Sequence, residues 1–150
     1  NRYMGDMSAL PAVPGDANYL RRALSNVIDN AIKYTPDGGQ IGIEAIHEFE
    51  TMHIIISDTG IGIDRAHQER IFEKFYVLED TSYHATNRTG FMGGGMGLGL
   101  AVTYGIVRAH GGRVWVDSEG KDVERLPGSR FHIILPMTAP IQREATIAEK

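Results

Sequence analysis

Glycine is not spread evenly through this chain. Six of its 18 glycines (Gly90, Gly93, Gly94, Gly95, Gly97 and Gly99) fall within ten positions, directly ahead of an apolar run at helical spacing: Leu98, Ala101, Val102, Gly105, Ile106 and Ala109. Glycine permits backbone conformations and close approaches that other residues resist, so the cluster predicts a main-chain-lined loop feeding a helix N-terminus. Free N–H groups and the helix dipole favour an anion there. A flexible linker would explain the glycines, but not Leu98, Leu100 and the apolar helix beyond them. Because the excess is local, collagen-like and low-complexity classes are excluded. Spacing excludes two phosphate motifs as well: Gly95-Met96-Gly97 lacks the third glycine of G-x-G-x-x-G, and no G-x-x-x-x-G-K-[ST] occurs. The chain is neither a Rossmann unit nor a P-loop nucleotidase.

The rest of the composition bounds the class. At 150 residues, 42% hydrophobic and 23% charged, the chain is one globular domain with enough apolar residues for its own core. It has no cysteine, which excludes disulfides, thiolate zinc sites and a cysteine nucleophile and fits a cytoplasmic location. No apolar run approaches the roughly 18 residues of a membrane span, and no signal peptide opens the chain. With 15 basic and 19 acidic residues, net charge -4, there is no basic stripe for nucleic acid. The first residue is Asn1, not methionine, as expected of a piece of a longer protein or of a processed chain, with any membrane anchor carried by the parent protein.

Periodicity orders the elements. Arg2-Tyr3-Met4 reads as an edge strand. Asp16 is a candidate N-cap for a helix over 17–34, with Leu20, Leu24, Val27, Ile28, Ala31 and Ile32 at helical spacing and Pro36 just beyond it. Ile41, Ile43 and Ala45 alternate, Met52 to Ser57 is more continuously apolar, and the two predict paired strands. A glycine-hinged loop, Asp58 to Ile63, follows, and Asp64 is expected to cap a short segment ending in Ile71-Phe72-Glu73-Lys74-Phe75-Tyr76. Periodicity then stops from Val77 to Gly95, a length expected of a functional lid or a disordered segment. A helix to Ala109, closed by His110-Gly111-Gly112, precedes a strand pair, 113–117 and 130–135, with Trp115 expected in the core. The domain is expected to end at residue 136, and 137–150 reads as a polar tail, either disordered or a helix needing a partner.

Three features could carry chemistry. Asn26, Asn30 and Lys33 lie within roughly 60° on one face of the first helix, opposite its apolar positions. Amide oxygens suit a hard cation and an ammonium suits phosphate, although polar residues on a helix also simply face water. Asp58, at the end of an apolar strand, is an acceptor for an exocyclic amino group, with Gly60 and Gly62 leaving room for a flat ligand; an Asp-Gly turn is the plainer alternative. The glycine cluster is the third feature. The six histidines show no metal-ligand spacing, and no G-x-S-x-G elbow is present.

In this order the segments resemble the ATP-binding catalytic domain of sensor histidine kinases, in the superfamily of gyrase B, heat-shock protein 90 and mismatch-repair ATPases. Over residues 14 to 136, Leu24 to Thr35 is similar to the family's asparagine box, Asp58 to Ile63 to its first glycine box, Ile71 to Tyr76 to its phenylalanine box, and Gly94 to Leu100 to its second glycine box. The resemblance implies an α+β two-layer sandwich: a mixed, mostly antiparallel sheet of about five strands under three helices, with a long ATP lid. It implies that Asn30 coordinates Mg2+, that Asn26 and Lys33 support the phosphates, and that Tyr34 lies against adenine. Asp58 would accept from the adenine amino group, with Gly60, Gly62, Ile63 and the Ser129 hydroxyl around it. Lys74 and Tyr76 would come from the phenylalanine box, and Gly95, Gly97, Leu98, Gly99 and Leu100 would hold the phosphates by their main chain.

Two positions depart from the family: Val77 stands where a cation is usual, and Met96 where a threonine is frequent. Lys74 or Arg88 are candidate replacements for the cation. None of the histidines sits in an H-[DE]-x-[RK] setting, so the resemblance implies Mg-ATP binding, with Asn30 and Lys33 assisting γ-phosphoryl transfer to a histidine on a separate dimerisation domain and, indirectly, to a response regulator. No nucleic acid and no membrane contact by this chain are expected. The competing reading is a nucleotide sensor without catalysis. A gyrase-type hydrolase is a third, weakened because Asn26 occupies the position where an activating glutamate would be expected.

Overall fold

The computed structural model describes residues 13–73 and 99–138, together with the main chain of residues 2–4. Helix α1, Ala17–Lys33, begins where the sequence places its cap: Asp16 accepts from the main-chain N–H groups of Asn18 and Tyr19 at 3.0 and 3.2 Å. Ala23, Val27 and Ala31, four residues apart, are its buried stripe. Strands β2 (Ile41–Glu48) and β3 (Thr51–Asp58) form a hairpin through a two-residue turn, longer than the alternating run alone predicts. After α2 (Gly99–Ala109), β4 (Arg113–Asp117) and β5 (Ser129–Pro136) form the second hairpin. With β1 (Arg2–Met4) at the edge, the sheet order is β1-β2-β3-β5-β4.

Every pairing among the described strands is antiparallel, so this sheet is not mixed. The described residues hold two α-helices, and in place of a third there is a 3-10 turn, Arg65–His67. Asp64 precedes it without making a side-chain capping bond. No apolar residue recurs at helical spacing until Ile71 and Phe72, so a longer helix there would have no face to bury.

Helices α1 and α2 pack on each other and on β3, β4 and β5. Ala23, Val27, Ala31 and Val107 meet Ile56, Val114, Val116, Phe131 and Ile133 in one core, and burying each larger side chain contributes about 1.5–3 kcal/mol. Beside the helix layer, β2 is less covered: Ala45 is buried, but Ile41 and Ile43 are exposed. Trp115 is also outside the core. Its neighbours Val114 and Val116 point to the helices, so alternation along β4 turns its ring to the opposite sheet face. Two further bonds tie the two helices together. His110 accepts the Asp16 N–H at Nε2 (3.1 Å) while its Nδ1 donates to the Ile106 carbonyl (2.8 Å), and buried Thr103 donates to the Ala23 carbonyl (2.9 Å). No described helix is long and apolar enough to cross a membrane.

Candidate functional site

Asp58 ends β3 directly opposite Ser129, the first residue of β5. Its Oδ1 accepts from the main-chain N–H groups of Gly60 (2.9 Å) and Ser129 (3.3 Å), and its Oδ2 accepts from the Ser129 hydroxyl (3.0 Å). An ionised carboxylate offers about four acceptor sites. Among the described residues three are taken, and the remaining one lies on Oδ2. The residue is only 8% exposed, and burial pushes its carboxyl above the usual carboxylate range, with the Gly60 and Ser129 hydrogen bonds pulling the other way. The site therefore holds a desolvated acceptor with spare capacity, which suits an amino-group donor.

The glycines of the loop after Asp58 are fixed by the chain itself. A Cβ on Gly60 would stand 2.2 Å from the Tyr34 carbonyl oxygen, and one on Gly62, whose φ is +79°, would stand 2.0 Å from the Gly120 carbonyl oxygen. The freedom that the sequence reading reserves for a flat ligand is thus already used by main-chain packing. Ile61 N–H donates to the Tyr34 carbonyl (3.1 Å), which joins the end of α1 to the Asp58 loop. From the other side the β4–β5 connection closes in: Gly128 N–H reaches the Gly60 carbonyl (2.9 Å), Asp122 N–H the Ile61 carbonyl (2.8 Å), and the Ser118 hydroxyl accepts from Ile63 N–H (2.9 Å). Gln68 bridges the Ile63 and Ser118 carbonyls at 2.9 Å each.

On α1, Asn26, Asn30 and Lys33 are half-buried on one face. The Asn30 carboxamide makes no hydrogen bond among the described residues. Lys33 Nζ lies 5.4 Å from the centroid of the Tyr34 ring. Asn26 Nδ2 donates to the Gly99 carbonyl at the start of α2 (3.0 Å), and Leu100 packs against the core. Lys74, Tyr76, Gly95, Gly97 and Leu98, like Val77, Arg88 and Met96, lie outside the described residues, as does the tail from residue 139.

The structure therefore joins Tyr34, Asp58, Gly60 and Ser129 in one bonded cluster, and Asn26 with Gly99 in another. Ser118, Gln68, Asp122 and Gly128 were missed by sequence reasoning. Their signal was the pairing of Gly120 and Gly128 with a capping Asp122 in what reads as a merely polar loop. A small cavity of about 40 Å³ adjoins Tyr34, Gly62 and Ile63, with His67 and Lys121 also in its wall. A larger one of about 730 Å³ is lined by Asp58, Ser129, Gly128, Ser118 and Gln68 of the Asp58 cluster, and by Asp117 and Arg130 on the sheet face turned away from the helices. The first glycine box thus borders both: Gly62 and Ile63, with Tyr34, line the smaller, and Asp58 lines the larger.

A second polar cluster spans β3, β5 and β4 on that outer face. His53 Nε2 and His132 Nδ1 are 2.9 Å apart, and His132 Nε2 lies 3.0 Å from Asp117 Oδ2. Trp115 stacks on His132 with ring centroids 4.8 Å apart, and Arg113 lies over Trp115. Burial holds both histidines below the usual imidazole range. For His132 the Asp117 carboxylate opposes this, while His53 and Arg130 reinforce it. No described group of three or more His, Asp or Glu residues is placed to hold a metal ion.

Comparison with known proteins agrees with this architecture. Residues 15–139 match the family described as histidine kinase-, DNA gyrase B-, and HSP90-like ATPase. The chain is 40% identical over 129 residues to the adaptive-response sensory kinase SasA of Trichormus variabilis, covering 85% of this chain and 29% of that protein. It is similar to the solved mycobacterial sensor histidine kinase MprB, with TM-score 0.67 and 33% identity over 85% of this chain and 78% of that one. It is also similar to ShkA, solved full-length in complex with AMPPNP, with TM-score 0.67 and 29% identity over 88% of this chain and 24% of that one. The chain spans less than a third of the length of the curated relatives it matches. By fold and sequence, it belongs to the histidine kinase-, DNA gyrase B-, and HSP90-like ATPase family, on the branch of the sensor histidine kinase catalytic domains.

Proposed function

We propose that this chain binds Mg-ATP and presents the γ-phosphoryl group to a histidine on a separate dimerisation and phosphoacceptor domain of the same parent kinase, from which a response regulator is then phosphorylated. The observation that carries the reading is the Asp58 cluster: a buried carboxylate with one acceptor site in reserve, bonded through its loop to the end of the helix that carries Asn30 and Lys33. In this reading Asp58 Oδ2 accepts from the adenine amino group, while Ser129 and Gly60 orient the carboxylate. Tyr34 lies against the base, with Ile63 beside it.

Lys33 supplies a point charge toward the phosphates, and the main chain at Gly99 and Leu100, with Gly95, Gly97 and Leu98, supplies N–H donors. The Asn30 carboxamide fits Mg2+ because it is a hard oxygen donor on the half-buried face, without a hydrogen-bond partner among the described residues. The metal, when bound, neutralises charge on the triphosphate. The protein's share of phosphoryl transfer is positioning and charge stabilisation, and neither Asn30 nor Lys33 forms a covalent bond.

Calorimetric titration with ATP, with and without Mg2+, tests the binding step. Affinity should rise with Mg2+. Affinity indifferent to the metal would favour a nucleotide sensor, a reading to which Val77 and Met96 give some support. Adding the phosphoacceptor domain in trans should then yield acid-labile phosphohistidine on that domain, and none on this chain alone.

A further inference from the structure

The Asn26 carboxamide points two ways. Its Nδ2 donates across to α2, to the carbonyl of Gly99 at 3.0 Å. A carbonyl only accepts, so this bond fixes the nitrogen on the α2 side and turns Oδ1 away from it. Gly99 is the first residue of α2 and the last glycine of the cluster on which the phosphate reading rests. Close packing does not explain the pairing, because a Cβ on Gly99 would meet Asn26 atoms only at ordinary distances of 3.7–3.9 Å. One turn further along, α2 is already tied to α1 by the buried Thr103–Ala23 bond, so holding the helices together does not require a second tie. What the Asn26 bond adds is restraint of the first turn alone, from a helix face it shares with Asn30 and Lys33.

We propose that Asn26 is a positioning residue: it latches the start of α2 to α1 before nucleotide arrives, so that the main-chain donors there are already set for the phosphates. The latch stands on geometry alone, while its benefit to the phosphates rests on the ATP reading above. Asn26→Asp keeps the shape and an oxygen but cannot donate to the Gly99 carbonyl. Asn26→Ala removes both atoms and serves if the first variant does not fold.

The test is amide hydrogen exchange on nucleotide-free protein, read at Thr103 and Tyr104, the first N–H groups whose helical acceptors are Gly99 and Leu100. Loss of one neutral hydrogen bond should speed exchange there about fivefold, with the β3 and β5 amides unchanged. ATP affinity should fall by a similar factor, and adenosine affinity should hold. Unchanged exchange at Thr103 and Tyr104 would overturn the latch whatever the ligand does. Faster exchange with unchanged ATP affinity would overturn the positioning role. A wild-type chain that binds no ATP would remove the nucleotide reading and the positioning role with it, leaving the exchange result to decide the latch.

Discussion

Strands β3 and β5 carry two polar clusters, one buried at the strand ends and one half-buried on the outer sheet face, and their chemistry is opposite. At the ends, Asp58 keeps a carboxylate where burial disfavours it, and three hydrogen bonds leave one acceptor site on Oδ2 unfilled among the described residues. On the outer face, His53 and His132 are held neutral by the same burial. There the ring nitrogens that meet are matched to each other, and the second nitrogen of His132 lies 3.0 Å from Asp117 Oδ2 without hydrogen-bond geometry. Unfilled hydrogen-bonding capacity in a buried group is costly unless something supplies the missing partner. The Asp58 cluster is thus built to receive a donor, whereas the histidine cluster is held by its own ring contacts, His132 with His53 and with Trp115, and serves the sheet.

The largest expected effect follows from deleting the open group. Asp58→Ala should weaken ATP binding about 100-fold, the upper range for a hydrogen bond to a charged partner, as read by calorimetry on a variant confirmed to be folded. His132→Leu should do the reverse. It removes the bond from His53 and the stacking on Trp115, so chemical denaturation should show a loss of about 1–3 kcal/mol, while ATP affinity stays within about twofold.

Acidification sharpens the contrast, because the two clusters have opposite signs. The histidines have native pKa values below the ordinary 6.5, so the stability they contribute is complete above that pH and is lost as pH falls through their lowered native values. Asp58 has a native value raised above 3.8. Its contribution is complete below 3.8 and is lost as pH rises through the raised value. Between pH 7 and pH 5 the denaturation midpoint should therefore fall in the wild type, and fall less in His132→Leu. Trp115 is the only tryptophan in the chain and stacks on His132, so its fluorescence should titrate with the midpoint. The smallest effect belongs to Ser129→Ala, which removes one of three donors to Asp58. It should raise the Asp58 pKa further and weaken ATP binding by a few-fold, seen most clearly when titrations at pH 5 and pH 7.5 are compared.

The helical frame was legible because its signals are local. Asp16 caps α1, apolar residues recur every three or four positions, and His110-Gly111-Gly112 ends α2. The hairpins were legible for the same reason. Contacts between distant segments were not. His53 and His132 are 79 residues apart, and no spacing rule connects them. Alternation places Trp115 on one face of β4 without saying which face the helices cover. At Gly60 and Gly62 the sequence correctly marks close approach, but it does not say that the approaching groups are the carbonyls of Tyr34 and Gly120. The Asp58–Ser129 pairing was anticipated through family resemblance, and its hydrogen-bond count came only from the structure.

The central claim is that Asp58 is kept ionisable for a ligand at the expense of the fold. Asp58→Asn tests it most directly, because the shape is retained and the charge is not. Measured on the same preparation, ATP affinity by calorimetry should fall by at least about tenfold, while the free energy of unfolding at pH 7.5 should be unchanged or higher. Unchanged ATP affinity, or a loss of stability as large as the loss of binding, would contradict the account.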